Sequence, residues 1–396
     1  MAKKPEPWWR EDRKAWFVQI DGKRHNLGKE KKAAWQRFYE LMAQPKKRTI
    51  VSVDSLLAII DAFLDWCQKH RAPDTYAWYR DRLERFANKY PDFRVADLKP
   101  FHVQEWIDDM DVSTGTKRNY GRSIKRCLRW AKKQGYIDTN PIADMELPRG
   151  GKREQVVTTG EWNTLLDNVG DQTLLELLIV TWETGCRPQE SLRVEARHVD
   201  LENQRWWFSV SESKTEIPRI VYLTDDALAI TRRLMLKYPQ GPLFRNSKGK
   251  PWTTDAVNSA FIRLQIKLGM GLLRERCKHE HQDGRRKYLW VKEAEVTKFA
   301  KTLQREKQSG CIKTDAELLH EARRKLAYAE AVKVGPKYSL YVLRHSWMNR
   351  LLTNGVDSLT VAFLAGHSDP STLARVYAHL SQNPSYLLEQ AKRAAG

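Results

Sequence analysis

The stretch LLELLIVTWET, Leu174–Thr184, constrains the fold more than any other part of the chain. It is too apolar for a surface helix, so other elements must surround it. A chain of 396 residues has the length for such a core and for two or three domains in all. Gly185 follows directly and lets the chain reverse out of the helix, while Pro188 suits the first turn of the next one. Arg187 is therefore expected at an element terminus, with Glu190 three residues on and within reach of its guanidinium. Taken alone, an Arg–Glu pair across a turn is ordinarily a structural salt bridge.

Two further units precede that helix. Residues 1–45 contain strand-like stretches at Trp8–Arg10, Ala15–Ile20 and Lys23–Leu27. The hairpin signal Asp21-Gly22 separates the last two, and a helical pattern runs over Lys29–Met42. Residues 51–148 are read as mostly helical. Ser52 or Asp54 can cap a helix presenting Leu56, Leu57, Ile60, Phe63 and Leu64. More helices are expected over Asp74–Tyr90, Lys99–Met110 and Thr114–Gln134. In the last, Lys117, Arg118, Arg122, Lys125, Arg126 and Arg129 accompany Tyr120, Ile124, Leu128 and Trp130, giving a basic outer face. Such a face can simply be solvated, but the scarcity of acids favours phosphate contact. Arg149-Gly150-Gly151-Lys152 marks a boundary, and the largest unit follows over 155–396.

Charge narrows the partner. Lys and Arg number 69 against 49 Asp and Glu, a net +20 spread along the whole length, which favours a polyanion such as nucleic acid over a membrane surface. No apolar run suits a bilayer span, and the first residues have no signal-peptide core, so a cytoplasmic protein is the default expectation. Cys67, Cys127, Cys186, Cys277 and Cys311 are odd in number and scattered, which fits reduced thiols.

Three more spots join Arg187 and Glu190. Lys214 sits in Ser213-Lys214-Thr215, between the strand-like stretches Arg205–Val210 and Ile217–Leu223. Tyr341, Arg344 and His345 lie in a helical pattern that places 341 and 344 on one face. Gly366-His367 comes ten residues before Tyr377, which a helix start at Ser368-Asp369-Pro370 would place on a short helix. Each spot has a bland reading: a solvated lysine, a core tyrosine. Their order does not. T-G-x-R-x-x-E, then Lys in a turn, L-R-H, G-H and a late Tyr resemble the tyrosine recombinase, or phage integrase, family over roughly residues 155–380.

The resemblance implies an α+β fold, mostly α with small β-sheets. A tyrosine recombinase catalytic domain would follow a helical core-binding clamp, the two closing around DNA. The N-terminal ββ(β)α module would be either an arm-site DNA-binding domain or an ordinary small module. The resemblance also implies roles. Tyr377 is the nucleophile that becomes joined to a 3′-phosphate. Arg187 and Arg344 hold non-bridging oxygens, Lys214 protonates the leaving 5′-oxygen, and His367 helps bind the phosphate. Glu190 orients Arg187, and His345 supports. Tyr341 stands where the family usually has His or Lys; a phenol carries no positive charge and has a reference pKa of about 10, which leaves the group that deprotonates Tyr377 open. The implied partners are double-stranded DNA, a homotetramer on two DNA sites with exchange through a Holliday junction, and accessory DNA-bending proteins. No cofactor and no metal are implied, and the protein would be nucleoid-associated when bound. A type IB-like topoisomerase and a catalytically impaired DNA-binding regulator are the rival readings.

The chemistry agrees with these roles without reference to relatives. Paired guanidiniums match the oxygens of a phosphodiester, stay charged at any working pH, and can stabilise the charge that displacement builds. No carboxylate cluster with two-metal spacing is visible in the sequence. The charged stretch from about 274 to 333 reads as a helical insertion. It includes Cys277, His279, His281, Cys311 and His320, but C-x-H-x-H is not a standard zinc arrangement.

Overall fold

A computed structural model of the chain describes residues 6–20, 23–43, 55–150, 155–213, 217–278, 288, 290–306, 311–367, 388 and 392. Contacts divide the chain into two compact units, Met1–Lys152 and Arg153–Gly396. Both are mostly helical, each with one small antiparallel sheet, the α+β class expected from the sequence.

The first unit opens with β1 (Trp8–Arg10), β2 (Ala15–Ile20) and β3 (Lys23–Gly28) in the order β1-β2-β3. Strand alternation puts Val18 and Leu27 inward, where Ala34 and Phe38 of α1 (Lys31–Ala43) close a small core. The turn residues Asp21-Gly22 lie outside the described residues, as do the cap candidates Ser52 and Asp54.

Four helices follow: α2 (Leu56–His70), α3 (Pro73–Lys89), α4 (Pro100–Asp108) and α5 (Thr114–Lys133). Phe63, Phe86, Trp106 and Trp130 meet at their centre. Leu57 was expected on the apolar face of α2 but is exposed, and Ile59 takes the inward position. The basic face of α5 is divided. Lys117 Nζ donates to the Asp108 carbonyl (3.0 Å), Arg118 Nη1 to Pro148 (3.0 Å) and Lys125 Nζ to Met145 (2.6 Å). These three cations hold the ends of neighbouring segments. Arg122 and Arg129 are exposed, and Arg126 is half-buried.

The second unit is built around α7 (Gln172–Thr184), which follows α6 (Thr159–Asn168). The Asp171 side chain accepts from the N–H groups of Thr173 and Leu174 and so starts α7; Gly185, at φ 57°, ends it. Leu174, Leu177, Leu178, Val180 and Trp182 are buried, as a central helix requires. Next come α8 (Pro188–Arg193) and the sheet β4 (Val199–Asp200), β5 (Arg205–Phe208) and β6 (Arg219–Tyr222), in the order β4-β5-β6. β5 and β6 are shorter than their strand-like patterns, because Val210 begins a 3-10 turn and Ile217-Pro218 precede the pairing.

Beyond the sheet lie α9 (Asp225–Lys237), the long α10 (Thr254–Lys278), α11 (Glu293–Ala300) and α12 (Asp315–Val334). The charged stretch thus forms helices with a small core of their own, Val296, Ala300, Leu318 and Ala322. α12 packs onto α10 so closely that a Cβ at Gly269 would lie 2.0 Å from the Ala331 carbonyl oxygen. Of the cysteines and histidines in that stretch, Cys277 is buried, Cys311 and His320 are exposed, and His279 and His281 lie outside the described residues. Finally α13 (Leu340–Thr353) and α14 (Ser358–Ala365) return to the centre. Among the described residues no helix is long and apolar enough to cross a membrane.

Candidate active site

Three helix ends build the site. At the first, Gly185 turns the chain out of α7 and Arg187 takes the N-cap position of α8, with Pro188 at the first helical position. Glu190 then reaches back. Its Oε2 accepts the Arg187 backbone N–H (2.7 Å) and its Oε1 accepts from Arg187 Nη1 (2.8 Å). One carboxylate therefore fixes both the backbone and the side chain of Arg187.

At the second, α13 delivers Arg344, which is 3% exposed. Its Nη1 donates to the Gly185 carbonyl (2.6 Å) and its Nη2 to the Ala365 carbonyl (2.5 Å). Trp347 and Arg350 sit three and six residues on, along the same face. Trp347 Nε1 donates to Glu183 O (3.0 Å), and Arg350 Nη2 donates to Trp182 O (2.6 Å) while stacking 3.8 Å from the Trp182 ring. Three positions of α13, each three residues apart, thus satisfy carbonyls at the end of α7, two of them with cations at the negative end of its dipole. A side chain at Gly185 would collide with Trp347, its Cβ falling 2.1 Å from Cε3.

At the third, α14 ends on Gly366, at φ 66°, and His367 follows. Arg187 Nη2 donates to the Gly366 carbonyl, so Arg187 and Arg344 grip adjacent residues of one loop. Arg344 Nη2 also lies 3.3 Å from His367 Nε2. A guanidinium has no acceptor, so Nε2 accepts and the ring proton sits on Nδ1. Among the described residues that Nδ1 is buried and has no hydrogen-bond partner. Burial, then Arg344, Arg187 and Arg219, push the His367 pKa down to about 4, so the ring is neutral at pH 7. Burial and the neighbouring Arg187 bring Arg344 down to about 10, which leaves it charged at neutral pH.

Arg219, which lies outside the sequence motifs, joins this cluster. It lies on β6, 6% exposed, and its Nε donates to the same Glu190 Oε1 that Arg187 uses (3.0 Å). Burial raises the Glu190 carboxyl, but Arg219 and then Arg187 outweigh it and hold the pKa below the ordinary carboxylate value. A signal existed: strand alternation puts Arg219 on the inward face with the buried Val221 and Leu223. Beside the cluster a cavity of about 470 Å³ opens, lined by Arg219, Gly366 and His367 with Tyr222, Phe363 and Leu364.

Arg187, Glu190, Arg344 and His367 are therefore brought together. His345 is half-buried on α13, its pKa lowered by burial and then by Arg344. Tyr341 is 58% exposed, and among the described residues no hydrogen bond or ring contact ties it to the cluster. Lys214 and Tyr377 lie outside the described residues. With three guanidiniums around one carboxylate, the arrangement can receive an anion, and an oxyanion near His367 would meet an unused ring N–H.

The model of the phage integrase family matches residues 155–289. The chain is 26% identical over 170 residues to tyrosine recombinase XerC of Oceanobacillus iheyensis, covering 38% of this chain and 53% of that relative. It is 22% identical over 349 residues to tyrosine recombinase XerD of Staphylococcus haemolyticus, covering 82% and 94%. Two solved structures share the fold. One is the Tn1549 transposon integrase in complex with transposon right end DNA, with TM-score 0.57, 16% identity and coverage of 86% and 100%. The other is a lambda integrase tetramer bound to a Holliday junction, with TM-score 0.52, 13% identity and coverage of 93% and 97%.

Proposed function

The chain belongs to the phage integrase family of tyrosine recombinases, and from that premise we propose that it is a site-specific recombinase acting through a covalent 3′-phosphotyrosine at Tyr377. One observation supports this most: Arg187 and Arg344 converge on the Ala365-Gly366 loop with neutral His367 beside them. The phenolate oxygen of Tyr377 attacks phosphorus, the bond to the 5′-oxygen breaks, and that oxygen takes a proton from Lys214. Arg187 and Arg344 hold the non-bridging oxygens while charge builds there, and His367 donates its Nδ1–H to one of them. Joining is the reverse, with a new 5′-hydroxyl as attacker. The broken bond's energy is kept in the phosphotyrosine, so strand exchange needs no nucleotide. Tyr341 is exposed and guanidiniums accept no proton, so the cations act on Tyr377 by stabilising its phenolate, and the phenol proton passes to solvent.

In this reading the partner is double-stranded DNA. Residues 51–148 form the clamp, residues 155–396 the catalytic domain, and residues 1–45 an arm-site module. The exposed Arg122 and Arg129 of α5, with Arg126, do not make the carbonyl bonds that tie down Lys117, Arg118 and Lys125. Four protomers on two duplexes would carry out the exchange, with DNA-bending proteins assisting, at the nucleoid.

The test uses the full chain and a pool of core-randomised duplexes carrying one nick. Cleavage beside the nick releases a short 5′-hydroxyl fragment and traps the protein on DNA. A denaturation-resistant adduct is expected, lost in Tyr377→Phe and kept in Tyr341→Phe, and sequencing the trapped DNA gives the site. DNA binding without any adduct would instead mark a regulator. Relaxation of supercoiled plasmid without joined products would mark a topoisomerase.

A further inference from the structure

Arg219 belongs to none of the four motifs, yet it sits at their junction. It shares Glu190 Oε1 with Arg187, and its Nη1 donates to the Leu364 carbonyl (2.8 Å) in the last turn of α14. It also fills the space beside Gly366: a Cβ there would lie 2.9 Å from Arg219 Cδ and Nε, and 3.1 Å from Arg187 Nη1. Among the described residues its Nη2 is buried with no hydrogen-bond partner. A buried guanidinium with an unused donor is a costly way to fill space, since an apolar side chain would do so more cheaply. The bonds it does make explain the cost. By sharing Glu190, Arg219 keeps that carboxylate in place without leaving it to neutralise Arg187 alone. By holding Leu364, it sets where Gly366 and His367 begin.

We propose that Arg219 is a positioning residue for DNA cleavage, aligning Arg187 through Glu190 and His367 through the end of α14 before the phosphate arrives. The proposal rests on the recombinase reading above. Arg219→Lys keeps a cation but cannot reach Glu190 and the Leu364 carbonyl together.

Single-turnover cleavage by the full chain, on the duplex recovered by adduct trapping, tests it. The cleavage rate of Arg219→Lys should fall on the order of 100-fold, the size of effect expected when catalytic groups are slightly misplaced. DNA affinity should stay within about threefold, because the loss is in the reacting state. A methylphosphonate at the scissile position carries no charge and needs less of Arg187, so the defect should shrink there. Unchanged cleavage overturns the proposal. So does a defect of equal size on both linkages with a lowered melting temperature, which is what mere space-filling gives.

A second measurement does not need cleavage. In the free protein, His367 faces Arg344, Arg187, Arg219 and His345, with Glu190 behind the arginines. NMR titration should show its pKa rising in Arg219→Gln, with Arg187 side-chain resonances displaced. If the wild-type chain cleaves nothing, the recombinase reading fails, and this titration still decides whether Arg219 organises the cluster. Unchanged His367 and Arg187 signals mean that it does not.

Discussion

Two carboxylates in the second unit are each shared by two cations, and they make opposite use of the sharing. Glu190 lies between Arg187 and Arg219 at 2.8 and 3.0 Å, with side-chain exposures of 12%, 31% and 7%. Glu321 on α12 lies between Lys313 and Lys325 at 2.9 and 2.8 Å, with exposures of 20%, 20% and 49%. Around Glu190 the cations outnumber the acid, since Arg344 also adjoins Arg187, and the surplus charge is held out of water. Around α11 and α12 most cations meet a nearby acid, as in Arg323–Glu293 and Lys333–Glu330. Coulomb energy between partners is similar in kind at both places; burial decides its worth, because water reaches Glu321 and Lys325 more than it reaches Glu190 and Arg219. The cluster therefore keeps cationic capacity that its own acid does not balance, whereas the surface of α11 and α12 has its charges largely paired.

The largest expected effect breaks the cluster side of that contrast. Arg344→Ala should lower cleavage on the order of 1000-fold, by removing a guanidinium that faces the developing charge. Arg323→Ala in the hairpin should leave cleavage unchanged. Adduct formation on the trapped duplex measures both. Comparable losses in the two variants would erase the distinction.

Next in size is Glu190→Gln. Without the carboxylate, Arg187, Arg219 and Arg344 face one another with no counter-charge. Breaking a buried pair in this way costs about 3 kcal/mol, and a urea melt should show it. Stability near that of the native chain would mean that Glu190 is not the keystone of the cluster.

A smaller effect is set by pH. The His367 pKa is about 4 in the folded chain and about 6.5 when unfolded. The unfolded chain therefore takes the proton first, so stability is complete above pH 6.5 and falls as pH drops from there towards 4. His345, also lowered by burial, acts in the same direction. Melting curves of the native chain and His367→Gln should converge as pH falls through this window. Parallel curves would show the ring to be protonated already.

How much of this was legible in the sequence depended on where a residue's partners lie. Arg187, Arg344 and His367 could be found because each sits beside a helix end marked by Gly, Pro or a short motif. Arg219, Trp347 and Arg350 carry no such local mark: their carbonyl partners Leu364, Glu183 and Trp182 are 145, 164 and 168 residues away. The cations of α5 are legible as a face, but pattern alone does not separate Lys125, bonded to Met145, from the exposed Arg129. Strand ends were overextended because β-branched residues continue past the last ladder partner. Tyr341 looked like a member of the site from helical spacing, yet it is exposed at the first turn of α13 while Arg344 faces inward.

Salt provides the smallest test and the one closest to the contrast itself. Lys313 first, then Lys325, hold the Glu321 carboxyl down to about 2, the mark of a strong local pair. Even so, the Lys325 side of the group is 49% exposed, and in solvent the Debye length shrinks from about 10 Å at 0.1 M to about 3 Å at 1 M salt. Glu321→Gln should therefore lower the melting temperature slightly in dilute buffer and less in 1 M salt. The shift caused by Glu190→Gln should persist in both, since ions do not enter the space between Arg187, Arg219 and the carboxylate. Thermal melts of the two variants at both salt concentrations compare them directly. Should the Glu190 shift fade with salt as the Glu321 shift does, burial is not what separates the two sites, and the anion-hole reading of the cluster loses its physical basis.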